Sequence, residues 1–258
     1  MRDVPPEVSR EFAWAAAPWG LALQCRALGP VAHGWTTRQL QLRGSVEAER
    51  AGWAAIGKAV GLWPDSLVRL DQVHGAAVHV TTSRPCATPE ADIVLSDVVD
   101  RVVAVQVADC APILTANRSG RFVAASHAGW RGTADDVAGV TVRALADRYQ
   151  TSPDTLSAAI GPCIGPCCYE VGEELVDAFR AKGWSEAECT RWFVHRNGKL
   201  FLDVWRANAD QLERAGVPAG QTFLSRLCTA CHPDWFSSYR REGAGTGRLA
   251  GYIRARDG

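Results

Sequence analysis

The chain carries no surplus of either charge. Its 28 Lys plus Arg stand against 28 Asp plus Glu, for a formal net charge of zero. Without a basic excess it has little with which to neutralise a run of phosphates, so nucleic acid is not an expected partner. Lysine is scarce, present only at Lys58, Lys182 and Lys199, and this arginine bias needs no functional explanation. No apolar stretch reaches the ~18 residues that a membrane span needs. Internal repeats, low-complexity tracts and long linkers are missing, as are a GxGxxG behind a strand and a GxxxxGK[ST], which removes the dinucleotide-fold and P-loop readings. The nine cysteines are odd in number and irregular in spacing, which suits reduced thiols better than a disulfide framework. The segment FAWAAAPWGLAL at 12–23 imitates a signal peptide, but its leader MRDVPPEVSRE is acidic on balance and Pro18 breaks the run. The expected location is therefore cytoplasmic, with no membrane partner.

What is present is an ordinary globular composition, 47% hydrophobic and 22% charged, on 258 residues. This fits one unit spanning 1–258, with residues 1–30 as a less defined N-terminal extension. Helical spacing marks 45–60, with Ser45 as cap, and 133–149, with Thr133 and Asp136 as a capping box. Further helices are expected at 169–182 and 203–215. Runs rich in Val, Ile, Phe and Thr predict strands at 76–82, 101–107, 111–116, 121–126, 156–160, 221–226 and 249–255. The expected fold is α+β, with layered mixed sheets and flanking helices. Strands 101–107, 111–116 and 121–126 are expected to be neighbours.

That adjacency gives the histidines and cysteines meaning. QVHG presents His74 at a strand end, VADCAP places Cys110 between two strands, and ASHAGWRG presents His127 at the end of the next. Two imidazoles and one thiolate with a fourth position open are the donor set of a catalytic zinc ion. The same residues also read as a nucleophilic pair, Cys110 with His74 or His127 as base. Spacing alone does not choose between them. Arg131, ahead of a helix expected to start near Thr133, is an oxyanion candidate, although Asp135 and Asp136 oppose it. Arg38, Arg240 and Arg241 are others, and Trp130 could stack on a planar base. CTACH at 228–232 fits a haem-attachment pattern whose chemistry needs export. Cys163, Cys167 and Cys168 with Cys228 and Cys231 read either as a structural thiolate site or as buried inert thiols.

Taken in order, QVHG at 72–75, ADCAPI at 108–113, HAGWRG at 127–132, GPCI with CYEVGEE inside 161–174, and CT with FSSYRREGAGTGR inside 228–248 closely resemble the YfiH-like family. That family is also called the laccase-domain or multicopper polyphenol oxidase family. The resemblance runs from GWTTR at 34–38 to the C-terminus and implies a mixed α/β fold grouped with proposed cysteine hydrolases. It also implies a zinc site at His74, Cys110 and His127. The activity it implies is phosphorolysis of adenosine, inosine, guanosine and methylthioadenosine to base and ribose 1-phosphate, with hydrolytic deamination of adenosine. Asp109 or Glu170 would then be the proton-transfer group, and Arg131 with Arg38 would hold phosphate, with Trp130 and Glu170 lining the substrate site. QLQLRGS after GWTTR lacks the Gly-Gly frequent in relatives, which leaves Arg38 less secure. Copper fits poorly, because six histidines without an HxH pair cannot fill a multicopper set. The family's link to peptidoglycan-precursor editing by a Cys-His amidase is the alternative activity, followed by polyphenol oxidation and by a non-catalytic zinc protein. A monomer or homodimer is expected.

Overall fold

The computed structural model describes residues 4–83 and 88–257, so Cys86 lies outside the described residues. Among the described residues, fifteen strands form three sheets. The first is ordered β1-β2-β3-β15-β7-β4 and holds β1 (Phe12–Ala17), β2 (Gly20–Cys25), β3 (Ala32–Thr36), β4 (Leu67–Val68), β7 (Val102–Val107) and β15 (Leu249–Arg254). The second is ordered β14-β10-β8-β9-β6-β5, from β5 (Val78–Val80), β6 (Ile93–Ser96), β8 (Ala111–Asn117), β9 (Val123–Ala128), β10 (Leu156–Ile160) and β14 (Thr222–Leu224). A small third sheet joins β11 (Glu170–Val171), β13 (Lys199–Leu202) and β12 (Phe193–Arg196). Pairing is antiparallel except at edges, where β4 joins β7, β5 joins β6 and β14 joins β10 in parallel.

Period-two alternation explains the layering. In β7, Val103, Val105 and Val107 face a core shared with Val94, Leu114, Val123 and Ala125 of the second sheet. Val102 and Ala104 of the same strand face the opposite way, onto Trp53 and Ile56 of α1 (Val46–Ala59). The outer face of the second sheet, with Ile93, Leu95, Ile113 and Ala124, is covered by α3 (Val137–Tyr149) and α6 (Val204–Arg214). The result is a helix, sheet, sheet, helix sandwich, the mixed α/β layering expected. Beside it, α4 (Glu173–Ala181) and α5 (Glu186–Trp192) pack with the third sheet around Phe179, Trp184 and Trp192. Among the described residues no helix is long and apolar enough to cross a membrane.

Three expectations need correction. Strand 101–107 does not neighbour 111–116: β7 belongs to the first sheet, while β8 and β9 pair in the second. Both faces of β7 are apolar, so it can be sandwiched only between α1 and the other sheet, and Ala108–Cys110 carries the chain across. The helix expected over 133–149 is two helices, α2 (Trp130–Ala134) and α3, broken where Asp136 takes φ 60°. Asp136 makes no side-chain cap bond, and Thr133 lies buried inside α2, so the capping box does not form. The helix expected from 169 starts only at Glu173, because Glu170 and Val171 pair with β13. In addition, residues 12–25 of the N-terminal extension form the β1–β2 hairpin, whose β2 pairs with β3 in the first sheet.

Candidate active site

The register of the second sheet brings the predicted residues together. β8 and β9 pair antiparallel with Pro112 opposite His127, so Cys110, just before β8, sits beside the end of β9. His74 precedes β5 at the far edge of the same sheet and turns inward through a left-handed backbone, φ 63°. The metal-binding atoms of His74, Cys110 and His127 lie within 4.8 Å of one another, with His74 exposed, Cys110 half-buried and His127 buried. The two imidazole planes meet nearly edge-on, 78° apart with centroids at 4.8 Å.

Asp92, just ahead of β6, organises this group, and its side chain is fully buried. Its Oδ1 accepts from His127 Nδ1 at 2.7 Å and from the His74 backbone N–H at 3.0 Å, and its Oδ2 accepts from the Gly75 N–H at 2.7 Å. Its carbonyl also accepts from the His127 N–H at 2.8 Å. A carboxylate on Nδ1 fixes the tautomer and leaves Nε2 directed at the other donors, the usual support for a metal-binding histidine. The HAGWRG glycines have local reasons: a Cβ on Gly129 would stand 3.0 Å from Cys110 Sγ and 3.3 Å from His74 Cδ2, and one on Gly132 would stand 2.8 Å from the Gly75 carbonyl.

Electrostatics favour a charged pair. Burial pushes the Cys110 thiol up, but the charge and hydrogen bond of His127, with a further bond from His74, outweigh it and bring it down to about 6. Burial lowers His127, yet the Cys110 charge and the Asp92 hydrogen bond raise it to about 9. Asp92 is held below its ordinary value despite burial, chiefly by the bonds from His127 and Gly75. Two imidazoles and a thiolate so disposed suit a borderline-soft divalent ion. A second group, Cys167, Cys168, Cys228 and Cys231, also brings its donor atoms within 4.8 Å of one another, so among the described residues two sets could hold a metal.

The remaining predicted residues are distributed differently. Asp109, at φ 83°, is buried with both carboxylate oxygens engaged, by the Thr229 hydroxyl at 2.5 Å and the Arg240 N–H at 2.6 Å. Glu170 is exposed and bonds Lys199 Nζ at 2.8 Å. Arg38 is tied to Glu242 at 3.2 Å and to the Pro233 carbonyl. Arg131 stacks on Trp130, 4.3 Å from the ring centre, in a helix of only five residues, while the start of α3 is occupied by Asp136.

Sequence reasoning missed Asp92, Tyr169, Arg43 and Arg248. Tyr169 lies under Arg240, 5.2 Å from its ring centre, and its phenol is raised by burial and by the Cys110 charge. Arg248 is held below its ordinary value by burial and by Arg43, while Cys110 and Tyr239 pull it upward. Arg43 and Arg248 both donate to the Thr246 carbonyl, at 3.3 and 3.1 Å, and neither forms an ion pair among the described residues. The signal for Asp92 was an acid at the head of an apolar strand; Arg248 ends the FSSYRREGAGTGR motif and Arg43 lies in QLQLRGS, but the two are far apart in the chain and nothing in either motif showed that they meet.

A two-sheet sandwich with a half-open His, Cys, His group defines a class, and comparison with known proteins gives it a family. The chain belongs to the multi-copper polyphenol oxidoreductase laccase family, whose model matches residues 41–256. It is 39% identical over 195 residues to the purine nucleoside phosphorylase YfiH of Escherichia coli K12, covering 76% of each chain. It is 34% identical over 201 residues to adenosine deaminase RL5 of an unknown prokaryotic organism, covering 73% of this chain and 75% of that one. The crystal structure of YlmD from Geobacillus stearothermophilus superposes with a TM-score of 0.84 at 30% identity, over 92% of this chain and 96% of that one.

Proposed function

We propose that the chain is a zinc-dependent purine nucleoside phosphorylase, converting adenosine, inosine, guanosine or methylthioadenosine with phosphate to free base and ribose 1-phosphate, and that it also deaminates adenosine. The observation that carries this reading is the half-open group of His74, Cys110 and His127, braced by Asp92. When bound there, zinc supplies Lewis acidity and acidifies nearby water at neutral pH. The chain's own residues do the rest. Asp92 orients His127, and the left-handed turn at His74 brings the second imidazole inward. Arg43 and Arg248, two like charges with no ion pair among the described residues, are suited to a phosphate dianion, where positioning and charge stabilisation provide most of the catalysis. Arg131 lies over Trp130 and would meet phosphate or base from the other side. Arg38 would have to leave Glu242 to join them. Asp109 could transfer a proton only by releasing Thr229 or Arg240, and so acts as a positioning group unless one of those bonds opens; Glu170 would have to leave Lys199.

The test is turnover of adenosine and inosine, with and without phosphate, by metal-quantified protein beside His127→Ala, resolving nucleoside, base and ribose 1-phosphate chromatographically. Phosphate-dependent base release lost in the variant supports phosphorolysis, and phosphate-independent inosine from adenosine supports deamination. Zinc-loaded protein inert toward both nucleosides overturns the reading. One observation favours a second: Asp92 bonds His127, and the free ring nitrogen of His127 lies within 4.8 Å of Cys110 Sγ, the order of groups in a cysteine amidase, here one acting on a cell-wall precursor. That activity would survive chelation and be lost in Cys110→Ala.

A further inference from the structure

β10 and β14 are parallel neighbours, so the loops that follow them leave the same end of the second sheet. They run together at once: the Cys163 N–H donates to the Leu227 carbonyl at 3.2 Å, and the Thr229 N–H to the Cys163 carbonyl at 3.0 Å. Cys167 and Cys168 lie on one loop, Cys228 and Cys231 on the other. Cys231 Sγ is 3.5 Å from Cys167 Sγ and 3.4 Å from Cys168 Sγ, and all four sulfurs lie within 4.8 Å of one another. A tetrahedral zinc with bonds of about 2.3 Å holds its sulfurs about 3.8 Å apart, within the spread seen here.

We propose that Cys167, Cys168, Cys228 and Cys231 bind a structural zinc ion that knots the two loops together. Two features of the site favour metal thiolates over inert thiols. The Gly165 N–H donates to Cys228 Sγ at 3.3 Å and the Cys231 N–H to the Cys228 carbonyl at 3.2 Å, so backbone donors from both loops converge on Cys228. Arg196 donates to the Cys167 carbonyl at 3.1 Å and Arg241 to the Ala230 carbonyl at 3.0 Å, which puts two guanidiniums beside a cluster that is net negative even with the ion bound. A disulfide would use only one of Cys167 and Cys168 with Cys231, although both stand at the same distance. One ion uses all four with no change of oxidation state: each thiol gives up a proton and donates a lone pair.

The knot also bears on the catalytic group without touching it. Thr229, next to Cys228, holds the Asp109 carboxylate, and Ile164, on the other loop, bonds the Asp109 carbonyl at 2.9 Å; Asp109 is the residue before Cys110. The tetrathiolate ion is therefore a brace for the turn that presents Cys110.

The full chain, purified anaerobically with zinc, is tested by metal stoichiometry. Two equivalents are expected in the wild type, one in Cys231→Ser, one in His127→Ala, and none in the double variant. Cobalt exchanged into His127→Ala should retain the strong near-ultraviolet thiolate charge-transfer bands of a four-sulfur site, and Cys231→Ser should lose them and melt lower. Should either variant fail to fold, differential alkylation of the wild type decides the matter: the four thiols should be protected until a chelator is added. A single equivalent that disappears in His127→Ala, four thiols alkylated rapidly in the zinc-loaded wild type, or a disulfide to Cys231 in the anaerobic protein overturns the proposal. Nucleoside turnover enters none of these readouts, so the result stands apart from the phosphorylase reading.

Discussion

Asp92 serves two of the three donor residues at once, and Gly129, beside Cys110 and His74, serves the group by having no side chain. Replacing Asp92 with Ala leaves His127 Nδ1 and two backbone N–H groups without their acceptor. Zinc affinity at the three-donor group should fall by roughly 10–100-fold, as found when the partner of a ligating histidine is removed. Competition with a chromophoric chelator measures this, and an affinity equal to wild type would show that Asp92 does not orient His127. His33 gives a pH effect away from any metal. Its Nδ1 faces the Val31 carbonyl at 2.8 Å and its Nε2 accepts from the Cys25 N–H at 3.0 Å, a fully bonded neutral ring. Burial holds it below its ordinary value. The unfolded chain therefore takes up a proton first as acid is added, and the contribution of His33 is complete above about pH 6.5 and lost as pH falls through the lowered folded value. Urea midpoints at about pH 7.5 and about pH 5.5 should diverge less in His33→Gln than in the wild type.

Elements differ in how far their own residues announce them. α5, where no helix was expected from the sequence, nevertheless carries a complete capping box: the Ser185 hydroxyl accepts from the Glu188 N–H at 3.3 Å, and Glu188 answers by accepting from the Ser185 N–H at 2.8 Å. Ser185→Ala should cost about 1 kcal/mol in urea unfolding; no loss would mean that packing alone holds the helix. β10 was readable to the residue and β7 to within one, because their runs are apolar and bounded by polar turns. The β1–β2 hairpin was not, since FAWAAA and GLALQC contain no β-branched residue and pair through the backbone. The break between α2 and α3 was hidden because apolar spacing continues across it, while a left-handed Asp leaves no periodic trace. At the site, the three donors were legible from strand ends and motifs. Asp92 was not, because it stands 35 residues from the histidine it serves and meets it only through the β6–β9 pairing.

At the scale of the whole molecule, the two large sheets are held by more than apolar contact. The Pro112 carbonyl, at the start of β8, accepts from Trp35 Nε1 at 3.2 Å and from the Gly161 N–H at 3.0 Å, linking the first sheet to the second. A Cβ on Gly161 would stand 2.2 Å from Trp35 Nε1. Gly161→Ala must displace that indole from a filled interior and should lower stability by about 1–3 kcal/mol in denaturant titration. A neutral result would mean that the indole rearranges without loss of the inter-sheet bond. Since Pro112 is two residues from Cys110, the variant should also weaken the binding of added metal at the three-donor group.

The strand order carries a consequence for biosynthesis. β15 follows every other strand in the chain, yet it lies inside the first sheet, with β3 on one side and β7 on the other. While the ribosome is still adding residues, at about 5–20 per second, β3 and β7 have no shared partner and their facing edges stay open. The second sheet, whose last strand β14 is only an edge, can assemble earlier. Until β15 emerges, the nascent protein thus carries one finished layer and one split layer, and that interval is when a chaperone would find most to hold.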